Sequence, residues 1–533
     1  MKKNIFLSIL SGLLLALPFS FGRLWILAWF GFLPLFYALR NASKIRAFLL
    51  SYLCGFVFWW LTIYWLVHVT FIGTFVLILY LSLYFGLFGL FFFYFTHYTF
   101  PAKRDPARLF LILVREHITQ ILSLSSTWVL LEYTRSHLLT GFPWALLGYS
   151  QYLNLPLIQI ADITGAWGVS FVLMAANLAV YSGFGGGQGT GYRVQGTGAG
   201  KKQNLVIPVL MIVVVLIYGY YKLYLPPSTF HLRPIRISVV QGNIPQELKW
   251  LERAKGFITQ KYLKLTALAA QEKPDLIIWP EASLPVIPEQ EPIYYEYLNA
   301  NIKLKQVPLL LGAVTARENN YYNSALLISG IGELLERYDK LHLVPFGEYI
   351  PLKDSLPFLR VIVPIGDISA GKEYTVFRVP ATKALAGRQG SGGRVEEKFS
   401  VLICFEDLFP ELSRRFVREG ADFLVNITND AWYKKTSAAM QHFQASVFRA
   451  VENRVFLVRA ANTGISGFIA PSGKIISLVR DDSGSDTFVD GYKTESIDLQ
   501  RQLPAFYTKF GDKFIFACLL FILCGIILSR KNK

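Results

Sequence analysis

Long apolar blocks separated by short polar joints fill the first 224 residues of the chain. Blocks of roughly 17 to 25 residues match the thickness of the hydrocarbon core of a bilayer. They occur near 5–21, 24–39, 47–68, 71–95, 117–139, 160–183 and 205–224 and, after a long gap, at 513–529. This pattern predicts eight membrane spans, the fifth of which carries Glu132 and Arg135 inside its apolar run. The opening MKK and the apolar stretch at 5–17 also resemble a signal peptide. No small-residue cleavage site follows and further spans come close behind, so the segment reads as a retained first helix.

The pattern changes over 225–512. Short β-branched runs alternate there with helical periodicity, as in an α/β domain. Strands are predicted at 235–241, 276–279, 308–314, 323–329, 334–339, 399–404, 423–427, 455–460 and 466–470, and helices at 250–271, 293–303, 409–418 and 437–454. The organisation expected is a seven-helix membrane domain over 1–224, a polar domain over 225–505, and a last membrane helix with its tail over 506–533. Glycine-rich stretches at 183–200 and 387–393 read as loops, because neither joins a strand to a helix at phosphate-loop spacing.

Hydrophobic residues make up 53% of the chain, which agrees with a membrane protein, but the formal charge of +17 could also suggest nucleic acid. The distribution of that charge decides between them. Residues 1–224 carry 15 Lys and Arg against four acids, a net +11, and leave +6 for the remainder. The basic residues cluster in every second connection: Lys2 and Lys3; Arg40, Lys44 and Arg46; Lys103, Arg104 and Arg108; Arg193, Lys201 and Lys202; and Arg530, Lys531 and Lys533. Cytoplasmic loops collect positive charge in this way, so both termini are expected inside and 225–512 outside. In a bacterium with two membranes that side is the periplasm. Nucleic acid is not an expected partner.

Three of the four cysteines, Cys54, Cys518 and Cys524, fall in apolar blocks, which leaves Cys404 alone in the polar domain. No disulfide framework or zinc spacing follows. His342 and His442 have no second histidine at ligand spacing and no HExxH motif, so neither a metal nor a cofactor is expected. Glu281, Lys340 and Cys404 stand at the ends of predicted strands, at separations of 59 and 64 residues. Functional groups of α/β sheets gather beyond the carboxyl ends of strands, so the three can meet. Taken alone, a cysteine in an apolar strand is more often an inert core thiol.

The surrounding motifs change that reading. WPEASLP at 279–285, YDKLHLVPFGEYIP at 338–351 and CFEDLFPE at 404–411 together resemble the Glu, Lys and Cys motifs of the nitrilase superfamily. With QGNIPQELKW at 241–250, NITNDAWY at 426–433 and the multi-span amino-terminal region, the chain resembles the apolipoprotein N-acyltransferases rather than soluble nitrilases. The resemblance implies an αββα sandwich mounted on membrane helices, with Cys404 as nucleophile, Glu281 as general acid and base, and Lys340 stabilising the oxyanion. It implies a phospholipid acyl donor, commonly phosphatidylethanolamine, and as acceptor a lipoprotein whose amino-terminal cysteine carries a diacylglyceryl group. Glu348 and Glu406 match further family carboxylates, and Trp250 matches a tryptophan on a lipid-facing loop. Phe405 stands where the family commonly has tyrosine. A membrane-anchored amidase could use the same three residues, but hydrolysis of a soluble amide needs no lipid-access scaffold. A transporter with a degenerate outer domain fits less well, because spans one, three, four and seven hold almost no charge.

The charge pattern makes a topological prediction. Alkaline phosphatase fused after residue 230 should be active in cells, and activity only from a cytoplasmic reporter at that position would overturn the orientation.

Overall fold

The computed structural model describes residues 1–97, 106–183, 206–224, 230–349, 368–380, 397–501 and 504–530. Of the glycine-rich loops expected at 183–200 and 387–393, all but Gly183, which is the last residue of the helix Ala166–Gly183, lie outside them. The chain divides into two compact units, Met1–Leu225 with Phe510–Lys533, and Pro226–Lys509.

The first unit is helical. Among the described residues, five segments are long and apolar enough to cross a membrane: Lys2–Ser20, Gly22–Leu39, Lys44–His68, Phe71–Thr96 and Ala166–Gly183. The blocks expected at 205–224 and 513–529 form the helices Val206–Tyr224 and Lys513–Arg530. The block expected at 160–183 is not one helix. Gly165, at φ +66, ends a short turn of helix before Ala166–Gly183 begins.

The block at 117–139 is largely contained in the longer helix Pro106–His137, which explains how its charges are tolerated. With no water to serve them, buried polar groups in such a bundle must find partners inside the protein. Arg135 donates to the carbonyls of Phe142, Trp144 and Ala145, and its guanidinium lies 4.9 Å from the Trp59 ring. Glu132 accepts the Leu147 N–H at 2.7 Å.

The second unit holds two six-stranded sheets. One runs in the order β12 (Gly491–Arg501), β1 (Phe230–Gln241), β2 (Leu276–Ile278), β3 (Leu309–Arg317), β4 (Asn320–Ile328), β5 (Leu334–Asp339). The other runs β11 (Ile475–Leu478), β10 (Gly467–Ile469), β9 (Phe456–Ala461), β8 (Phe423–Thr428), β7 (Lys398–Ile403), β6 (Phe377–Arg378). Each has three parallel strands at its centre, β1-β2-β3 and β7-β8-β9, flanked by antiparallel ones. Central parallel strands are covered on both faces, and β8 is buried at every position.

Helices Lys255–Gln271 and Pro292–Lys305 cover the first sheet, sending Ile258, Tyr262, Leu298 and Ile302 into a core with Ile277, Leu309 and Leu311. Helices Pro410–Arg418 and Ala438–Asn453 pack against the second. Hydrogen bonds join the two sheets' segments, among them Asn243 N–H to the Asn462 carbonyl at 2.8 Å. The result is the αββα sandwich expected from the motifs.

The fold carries the Glu281 turn on a glycine. Trp279 is buried, stacks on Tyr262 at 4.8 Å and donates from Nε1 to the Thr266 hydroxyl, which anchors the segment. The chain then crosses Gly312 of β3 so closely that a Cβ there would meet Ala282 N, Glu281 Cα and Pro280 O, each at 2.6 Å. Overpacking against backbone typically costs about 1–3 kcal/mol. Gly312→Ala should therefore lower the melting temperature of the purified protein. Gly256→Ala, on a helix with nothing within 4 Å of the added methyl, should leave it unchanged or raise it, helix propensity contributing up to about 1 kcal/mol. Equal effects of the two would refute the close approach at Gly312.

Candidate active site

Cys404 follows β7 directly and adopts φ +52, a left-handed conformation that is uncommon for a residue with a Cβ. The reversal turns the chain at once into the 3-10 segment Cys404–Leu408. Cys404 is buried, with 8% of the residue exposed. The Cys404 carbonyl accepts from the Asn426 amide at 3.2 Å and lies 3.1 Å from His442 Nε2.

Lys340 follows β5. Since β5 is antiparallel to β4, which is antiparallel to β3, it runs in the same direction as β2 and β3. Glu281 beyond β2 and Lys340 beyond β5 thus emerge on the same edge. Lys340 Nζ lies 3.7 Å from Glu281 Oε1 and 2.9 Å from each oxygen of Glu348. Asn323 on β4 donates to Glu281 Oε1 at 2.7 Å and to Glu348 Oε1 at 2.8 Å, and the Val344 N–H holds the other Glu348 oxygen at 2.8 Å. Two carboxylates and one amine are therefore locked in a fixed triangle.

Electrostatics follow from that packing. Burial opposes charge on Lys340, but the carboxylates of Glu348 and Glu281 outweigh it and hold the ammonium above the usual lysine range. Burial and the Glu281 charge push the Cys404 thiol up, only partly offset by Lys340. The sulfur thus rests as a neutral thiol, so nucleophilic attack requires a base that takes the proton as the bond forms.

Glu406, fully buried, accepts the Ile403 N–H at 2.7 Å, the Leu341 N–H at 2.7 Å, the His342 N–H at 3.0 Å and the Tyr338 hydroxyl at 2.8 Å. It joins the segment at Cys404 to the segment at Lys340. Burial lifts its pKa to about 7 against the opposing pull of these donors. Phe405 is buried and packs edge-on against Phe409 at 5.2 Å. Trp250 is half-exposed and stands before the helix, which begins at Lys255 rather than at 250. Among the described residues, no group of three or more His, Cys, Asp or Glu is placed to hold a metal ion.

Three features escaped the sequence reading. Asn323 was hidden among the polar residues of the first half of β4, with Asn320 and Ser324. Lys249, next to Trp250 in a quoted motif, is 3% exposed and donates to the Glu281 carbonyl at 3.0 Å. The third is an ionic cluster beneath Cys404. His442 lies between Asp407 Oδ1 at 2.8 Å and Asp430 Oδ1 at 3.0 Å, while Arg459 reaches Asp407 Oδ2 at 2.9 Å and the side-chain oxygen Oδ1 of Asn426 at 2.7 Å. Burial and Arg459 oppose a charged His442, but the two aspartates prevail and raise its pKa to about 9.

A group whose folded pKa is raised from near 6.5 to about 9 contributes stability that is complete below the lower value and lost as pH rises through the upper. The shift corresponds to a contribution on the order of 3 kcal/mol. The melting temperature of the wild-type protein should exceed that of His442→Gln most strongly below pH 6.5, and the gap should close above about pH 9. A gap independent of pH would show that His442 is not held as an imidazolium.

Comparison with known proteins agrees with this architecture. Residues 11–179 match the family described as apolipoprotein N-acyltransferase N-terminal domain, and residues 236–500 match the carbon-nitrogen hydrolase family. The apolipoprotein N-acyltransferase of Geobacter metallireducens is 35% identical over 100% of this chain and 96% of its own. That of Rickettsia prowazekii is 32% identical over 74% of each. That of Allorhizobium ampelinum is 34% identical over 69% of this chain and 66% of its own. With both parts matched in order and one relative similar from end to end, the chain belongs to the apolipoprotein N-acyltransferase family.

Proposed function

We propose that this protein moves an acyl chain from a membrane phospholipid, phosphatidylethanolamine being the expected donor, to the α-amine of an amino-terminal S-diacylglyceryl-cysteine on lipoproteins. A thioester on Cys404 links the two half-reactions. The observation that carries the reading is the convergence of Glu281, Lys340 and Glu348 at one sheet edge, with the charges of Glu281 and Lys340 both acting on the Cys404 thiol.

In the first half-reaction Glu281 takes the thiol proton while sulfur attacks the ester carbonyl. The Lys340 ammonium, held charged by Glu348, faces the oxygen on which negative charge develops. As the tetrahedral intermediate collapses, Glu281 returns the proton to the departing lysophospholipid oxygen. In the second half the lipoprotein amine attacks the thioester, Glu281 accepts a proton from that amine, and the Cys404 thiol is restored. The roles of the remaining residues follow from their contacts. Glu348 and Glu406 position the lysine and the nucleophile, Phe405 contributes an aromatic wall, and exposed Trp250 suits a surface met by lipid. Location in a bacterial inner membrane, with the Cys404 unit on the periplasmic side, is supported by the basic connections.

Mass spectrometry of the purified protein after exposure to phosphatidylethanolamine should find one added acyl group on Cys404. Cys404→Ala and Cys404→Ser should show none and transfer nothing. In single-turnover assays Glu281→Gln should load on the order of 100-fold more slowly, while Lys340→Met should slow both loading and release to a diacylated lipopeptide. Full transfer by Cys404→Ala would overturn the thioester, and normal rates in both steps for Lys340→Met would overturn the oxyanion role. Release of the acyl group to water at the same rate with and without lipopeptide would point instead to an amidase-like hydrolase.

A further inference from the structure

Lys249 lies in the turn after the 3-10 segment Gln246–Leu248 and points inward. Its ammonium is buried, a position a lysine almost never takes without a charged partner. Yet its nitrogen donates one hydrogen bond, to the backbone oxygen of Glu281, and among the described residues no carboxylate lies within 4.0 Å of it. By contrast, Lys340 lies between two carboxylates. A strictly structural lysine would be expected to point outward from such a turn or to pair with an acid. This one fastens the peptide that carries the base and leaves its remaining N–H groups without a described acceptor.

Charge at the site explains what this arrangement can do. The buried cluster holds two carboxylates, Glu281 and Glu348, and its paired lysine balances only one of them. With Lys249 charged, a second ammonium stands against Glu281 and Glu348. When the Cys404 proton passes to Glu281 and the sulfur–carbon bond forms, negative charge moves from the carboxylate to the sulfur and then to the substrate oxygen. Whatever the total, it is one unit more negative without a charged Lys249 than with it. A more negative site disfavours both the thiolate and the oxyanion.

We propose that Lys249 is a positioning residue for acyl transfer, holding the Glu281 peptide in place and supplying the second positive charge that allows Cys404 to ionise. This rests on Cys404 being the nucleophile. The titratable groups that bear on Lys249 are Glu281, from the turn after β2, and Cys404, from the end of β7. Burial lowers its pKa to about 8 against the pull of both, so its charge begins to be lost just above neutral pH.

The test uses the full-length protein in detergent and reads two quantities. The first is alkylation of Cys404 by iodoacetamide at pH 7, followed by mass. Lys249→Met should react about tenfold or more slowly than wild type, and Lys249→Arg, which keeps the charge, within about threefold of it. The second is acyl loading from phosphatidylethanolamine vesicles as a function of pH. Wild-type loading should fall as pH rises through about 8, whereas in Lys249→Arg, whose guanidinium stays charged, that fall should be absent or displaced upward. If Lys249→Met does not fold, the arginine variant alone decides. A methionine variant alkylated as fast as wild type, or an arginine variant with the wild-type alkaline limb, overturns the role of Lys249. Failure of wild-type Cys404 to be either alkylated or loaded overturns the nucleophile reading instead.

Discussion

A single buried carboxylate holds the catalytic end of the sandwich together. Glu406 takes main-chain donors from Ile403, in the strand that delivers Cys404, and from Leu341 and His342, just past Lys340, together with the Tyr338 hydroxyl of β5. The two strands belong to different sheets, so no ladder of backbone hydrogen bonds sets their relative position. A carboxylate out of water is costly unless its oxygens are filled, and four donors from two directions fill them. Charge-assisted bonds of this kind are short and directional. They fix the distance between Cys404 and Lys340 more tightly than apolar packing, which tolerates sliding, could do. The chemistry assigned to Glu281, Lys340 and Cys404 presupposes that distance.

The charges around this clasp are sorted by function. Lys340 is surrounded by acceptors and stays cationic, whereas the thiol is kept neutral by burial and by the nearby Glu281. A thiol at rest in this state reacts more slowly than a thiolate would, because reactivity follows the ionised form. Beneath it, His442, Arg459, Asp407 and Asp430 balance one another, so the carbonyl of Cys404 is gripped without adding net charge under the sulfur.

Much of this could be read from the chain. Every strand expected from a β-branched run is present, because such runs are buried on one or both faces wherever they fall. Glu281, Lys340 and Cys404 stand beyond strand ends, as their local motifs indicated. The strands that went unread, β6, β11 and β12, are short or lie toward sheet edges, and there the pattern weakens. In β12, Ile497 and Leu499 are buried while Ser496 and Asp498 face outward, a two-residue alternation preceded by a polar run that masks it. The helix starting at Lys255 was expected five residues early, because the periodicity runs on through 3-10 turns at 246–248 and 252–254. Asn323, Lys249 and the His442 cluster were illegible for another reason. Their roles are defined by partners 12 to 52 residues away, as in the bonds His442 to Asp430, Asn323 to Glu348 and Arg459 to Asp407, and nothing local marks which polar residue will acquire such a partner.

The left-handed backbone at Cys404 reaches beyond the reaction. A residue with a Cβ in that region costs on the order of 1–2 kcal/mol relative to glycine. Drift under selection for folding alone would run toward glycine or asparagine at this position, both of which accept the conformation readily. The thiol is thus a standing expense in marginal stability, offset by the clasp at Glu406 and the ionic cluster below. A copy of this fold relieved of the chemistry proposed for Cys404 would be free to lose that side chain first and become sturdier for it, which makes position 404 an early marker of whether a related chain keeps that chemistry.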